Sequence, residues 1–133
     1  MASVTFEKKG KFIFVHNGST YKIDNTKPNR SIGDIDERKK IIFLDKHMPA
    51  QFMEGIALHE IVERQFIRKG HSYEYSHNQA QKAELKFYQK KHGLKKGKQM
   101  LFDEEKYVLK FFDQNVKEES KNLSPIRKDF DVR

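Results

Sequence analysis

Two histidines and three glutamates stand at spacings that could assemble a metal site. His59 and Glu63 are one helical turn apart, His77 and Glu84 two turns apart, and Glu60 follows His59 directly. The chain of 133 residues contains no cysteine, so a transition-metal site must be built from imidazole and carboxylate. The same absence excludes disulfide frameworks, thiolate zinc fingers, iron–sulfur clusters and cysteine nucleophiles. A reactive zinc site takes three nitrogen or oxygen ligands and keeps a position open, and His59, Glu63 and His77 could supply the three. Glu84 could be a fourth ligand or the acceptor that orients an imidazole. Glu60, rotated about 100° from His59 on a helix, could activate a water molecule.

Positioning these groups takes two helices. Pro49 suits the start of the first and Gly70 the residue just past its end, with Arg68 and Lys69 favourably placed against the dipole. On that helix Phe52, Ile56, Val62, Phe66 and Ile67 form an apolar stripe centred on His59, and Glu63 falls inside it. Burying a carboxylate without a partner costs several kcal/mol, so a cation is expected beside it. The second helix is expected to open at Ser76, in capping-box spacing with Gln79, and to stop at Gly93. It carries His77, Glu84 and Tyr88 on one face, with Ala80 and Ala83 allowing close approach. Tyr73, Tyr75 and Tyr88 are expected to pack between the two helices, and Tyr88 is the one of them best placed for the alternative of donating to a developing oxyanion.

The remaining elements follow from local pattern. Residues 4–23 read as antiparallel strands around Asn17-Gly18, a pair suited to the positive φ of a tight hairpin turn. Residues 24–39 read as a loop, Lys40–Leu44 as a short strand, and Asp103–Ser120 as a third helix with Tyr107, Val108, Phe111, Phe112 and Val116 on its apolar side. The expected fold is α+β: an N-terminal β-hairpin plus a short strand followed by three helices. Residues 1–122 read as one domain and 123–133 as a loose tail.

The run His59-Glu60-Ile61-Val62-Glu63 resembles the zincin metallopeptidase motif H-E-x-x-H, with Glu63 in the second ligand position. The order of a strand, a short turn and the motif helix is similar too, and the resemblance spans about residues 38–90. It is closest to small intracellular zincin-like domains, which take a further ligand from the helix after the motif. The resemblance implies a zincin-like fold and a zinc-dependent metallopeptidase acting by metal-assisted amide hydrolysis. It implies His59 as a ligand, Glu60 as the general base, and His77 or Glu84 as the downstream ligand. A peptide or protein substrate would then lie along the Lys40–Leu44 edge. Glu63 departs from the usual histidine and lowers the positive charge of the site, so a catalytically degenerate zincin serving as a protein-interaction domain is an alternative.

Charge supplies another alternative. The chain holds 27 Lys and Arg against 19 Asp and Glu, a net +8, and the surplus is not confined to one end. Such a balance favours polyanions, so a basic nucleic-acid-associated module stays open. No apolar run approaches the ~20 residues of a membrane span, and residues 1–9 lack the apolar core of a signal peptide. A cytoplasmic protein with no membrane partner is expected. His16, His71 and His92 are expected at the surface.

Overall fold

A computed structural model describes residues 6–8, 13–16, 18–26 and 33–122. The expected tail, 123–133, lies outside the described residues. Strands β1 (Phe6–Lys8), β2 (Ile13–His16), β3 (Ser19–Asp24), β4 (Gly33–Asp36) and β5 (Ile41–Leu44) precede helices α1 (Ala50–Arg68), α2 (Tyr73–His92) and α3 (Leu94–Asn122). The α+β class is as expected, and the sheet is larger than the hairpin plus one strand. Its order is β1-β2-β3-β5-β4.

The β2–β3 hairpin closes as the sequence predicts. His16 pairs with Ser19, and Gly18 takes φ +80, where a Cβ would be strained. His16 itself is buried at 1% exposure, not at the surface, whereas His71 and His92 are exposed. On β3, Tyr21 and Ile23 alternate inward between exposed Thr20 and Lys22, so one face of the strand is covered.

The main revision concerns the segment expected to be a loop. Within it, β4 pairs antiparallel with β5, Gly33 opposite Leu44 and Asp36 opposite Ile41. The other side of β5 pairs in parallel with β3. The Lys40–Leu44 segment is therefore an interior strand, and the edge belongs to β4. Four residues reading Gly-Asp-Ile-Asp carry too little alternation to announce a strand.

Helix α1 lies on the sheet through Phe52, Ile56, Ala57 and Ile61, which join Tyr21, Ile23, Ile42, Leu44 and Met48 in the main core. A second buried face, Leu58 and Val62, meets Ala80 of α2, with Phe66, Ala83 and Phe87 around it. At about 100° per residue these faces centre near +110° and −60° from His59. His59 and Glu63 thus stand on the seam between two apolar faces, not at the centre of a single stripe. Pro49 is the residue just before the helix, and Gly70 follows it at φ +99.

Both later helices begin earlier than expected. Ser72, not Ser76, caps α2: its Oγ accepts the Tyr75 N–H at 3.1 Å, and Glu74 favours the first turn electrostatically. Ser76 is buried, with its hydroxyl donated to the Ser72 carbonyl at 2.7 Å. Helix α3 starts at Leu94 and runs through Gly97, which reads as a breaker by propensity. A Cβ at Gly97 would lie 2.4 Å from the Gln89 backbone, so the glycine permits backbone contact between α2 and α3. Among the described residues no helix is long and apolar enough to cross a membrane.

Candidate metal centre

The seam on α1 faces the second turn of α2, and there three side chains converge. His59 Nε2 lies 3.2 Å from Glu63 Oε2 and 3.2 Å from His77 Nδ1, and His77 Nδ1 lies 2.9 Å from Glu63 Oε2. Two ligands held at about 2.0–2.2 Å from one tetrahedral ion stand roughly 3.3–3.6 Å apart. The observed triangle is a few tenths of an ångström tighter, close to what three zinc ligands need. Among the described residues, His59, Glu63 and His77 form the one group able to share an ion. His59 and Glu63 are 13% and 15% exposed at the side chain and His77 36%, so the group opens to solvent on the His77 side.

The proton inventory supports the same use. His59 Nδ1 lies 2.9 Å from Glu84 Oε1, and an Nδ1–H donated there leaves the Nε2 lone pair facing Glu63 and His77. Glu63 offers only lone pairs when ionised. Burial pushes its carboxyl upward, but hydrogen bonds with His59 and His77 outweigh that and hold it below the ordinary range. With His59 donating from Nδ1, its Nε2 and the Glu63 carboxylate both turn lone pairs toward His77, and a divalent cation would satisfy all three atoms at once. The donor set fits zinc.

Glu84, expected as a ligand or an orienting acceptor, sits on the Nδ1 side of His59, away from the converging atoms. Its carboxyl is 1% exposed, and Oε2 meets no partner of normal hydrogen-bond geometry. The carboxyl nevertheless interacts with that of Glu104 on α3. Tyr88 donates its hydroxyl to Glu104 Oε1 at 2.5 Å. Burial pushes Glu84 up to about 7 and Glu104 up to about 10, the latter helped by hydrogen bonding and repulsion from Glu84. Glu104 thus keeps its proton at neutral pH. Tyr88 reaches it because Gly55 has no side chain: a Cβ there would lie 2.1 Å from the Tyr88 hydroxyl. With its hydroxyl bonded to Glu104, Tyr88 packs between the helices and does not offer that hydroxyl to the converging atoms.

Glu60 points toward the sheet. A Cβ on Gly33 would lie 3.1 Å from its Cγ, so the first residue of β4 packs on the Glu60 side chain. Burial pushes its carboxyl up to about 7, with His59 pulling down and Glu63 and Asp34 pushing up. Beside β4 a groove of about 510 Å³ is lined by Asp34, Asp36, Glu37, Arg38, Phe43 and Arg64. Tyr73, in the first turn of α2, stacks on His77 with ring centroids 5.6 Å apart and is 64% exposed. Desolvation and then the charges of Glu63 and Glu60 raise its hydroxyl above the usual tyrosine range.

Sequence reasoning missed Glu104, Tyr73 and the edge strand. Glu104 had a readable signal: it falls between Met100, Tyr107 and Phe111 on the inner face of α3, the anomaly that singled out Glu63. Comparisons of the chain with protein-family models, with curated proteins and with solved structures return no match.

Proposed function

We propose that this protein is a zincin-like, zinc-dependent hydrolase that cleaves amide bonds. The observation that carries the reading is the triangle of His59 Nε2, His77 Nδ1 and Glu63 Oε2, with His59 oriented from behind by Glu84. His59, Glu63 and His77 hold the ion, which supplies Lewis-acid polarisation of a substrate carbonyl.

The remaining roles fall to the chain's own groups. Glu60 packs on Gly33 of β4 and feels the charges of His59 and Glu63, and its carboxylate would take a proton from the attacking water and return it to the departing amine. Backbone of the β4 edge pairs with an extended peptide by strand addition, and the groove beside it receives substrate side chains. Tyr73, exposed and stacked on His77, is the hydroxyl available to a developing oxyanion.

The test is cleavage of a peptide library by the zinc-loaded protein and by Glu60→Gln. The account expects cleavage by the parent and a loss of about 10²–10⁴-fold in the variant. Equal cleavage by both would remove Glu60 from the mechanism. Absence of cleavage by the zinc-loaded parent would leave a metal-binding protein without this activity.

A further inference from the structure

The corner where α2 turns into α3 carries a charge distribution that folding does not require. From Leu85 to Phe102 the sequence holds six lysines, Lys86, Lys90, Lys91, Lys95, Lys96 and Lys98, and no acidic residue. All six are exposed. Gly97 seats the first turn of α3 directly on the Gln89 backbone, so the lysines of both helices surround one helix–helix junction. Of the nearby acids Glu54, Glu84, Asp103 and Glu104, only Asp103 stands exposed beside it. Glu84 and Glu104 are buried, Glu54 is paired with Lys91, and Gln99 donates to Asp103 at 2.9 Å. Among the described residues Lys91 is the only one of the six in an ion pair.

Lys90 and Lys91 have a structural role, since cations favour a helix C-terminus. Lys95 and Lys96 have the opposite relation to α3: they lie in its first turn, which contains no acid and where cations are unfavourable. A local rule broken on an exposed surface points to function. The repulsion is relieved when a polyanion neutralises the surface.

We infer that the Lys86–Lys98 corner of α2 and α3 binds the phosphate backbone of nucleic acid without reading sequence. Lysines that neutralise phosphates release condensed counterions and need no apolar contact. A bilayer surface asks for buried apolar area as well, and from Leu85 to Phe102 only Leu94 and Phe102 are exposed large hydrophobics, set among six lysines. The surface lies ~20 Å along α2 from His77 at 1.5 Å per residue, so a strand held there does not occupy the metal centre.

The test is fluorescence anisotropy of a labelled 20-base-pair DNA duplex titrated with the full chain at 50 and 200 mM NaCl. Four to six phosphate contacts predict affinity falling by about 10²–10³-fold between the two salts. Replacing Lys90, Lys95 and Lys96 by Gln lowers the salt slope by about three, whereas Lys39→Gln with Lys46→Gln leaves the patch contribution intact. Circular dichroism checks that the variants keep the fold. The inference is overturned if the duplex does not bind at 50 mM NaCl, or if the patch and control variants lose affinity equally. Binding to phosphatidylserine vesicles with none to the duplex would also overturn it, in favour of a membrane surface.

Discussion

The same residue types meet at two places in the helical layer and do opposite things. At the seam of α1 and α2, one nitrogen each of His59 and His77 and a carboxylate oxygen of Glu63 converge at 2.9–3.2 Å. Behind His59, Glu84, Glu104 and Tyr88 share protons in a space closed to solvent. The first group could hold a cation and stays reachable past His77. The second is satisfied by protons and stays dry. On the proposed function, exposure and proton count, more than residue identity, separate the cluster that would bind an ion from the one that would only aim it.

The sharpest way to break this contrast is to delete a ligand. His59→Ala leaves two donors and should abolish stoichiometric zinc binding in isothermal titration, while His92→Ala, exposed on the last turn of α2, changes nothing. Overpacking the dry cluster comes next. Gly55→Ala drives a methyl into the Tyr88 hydroxyl and should cost about 1–3 kcal/mol of stability in urea unfolding. Glu84→Gln keeps the shape but weakens the hold on His59, and zinc affinity should fall about 10–100-fold with the fold intact.

The remaining effect is on pH dependence. Glu104 holds its proton up to about 10 in the folded chain and loses it near 4.5 when unfolded. Between those values the folded state binds more protons, so its contribution to stability is lost as pH rises, by at most about 1.4 kcal/mol per pH unit. The metal-free protein should therefore weaken as pH rises from 5 to 9, and Glu104→Gln, which cannot ionise, should flatten the decline. An equal decline in both would remove Glu104 from the dry cluster.

The candidate site was more legible in the sequence than the sheet was. His59, Glu63, His77 and Glu84 stood out because helical spacing places polar groups among Phe52, Ile56, Ala80 and Leu85, a pattern local sequence carries well. The second buried face of α1 was obscured because Ala57, Leu58 and Ile61 fill the gaps of the first, and a helix buried on two sides loses its simple period. Strand β4 depends on pairing with β5, which no four-residue pattern encodes. The start of α3 was hidden by Gly97, whose reason for being in a helix is the Gln89 backbone and is tertiary. The role of Glu104 depends on where Glu84 and Tyr88 sit in space, so the start expected at Asp103 made it look like an ordinary first-turn acid.

The most direct measurement is elemental analysis of the chain purified without a metal-affinity tag, alongside His59→Ala and His77→Ala. The account predicts about one zinc per parent chain, removed by chelation, and none in either variant. A parent chain that takes up no zinc, with His59 shown by nitrogen chemical shifts to be doubly protonated between Glu63 and Glu84, would contradict it. A proton would then be the cation that the seam was built to hold.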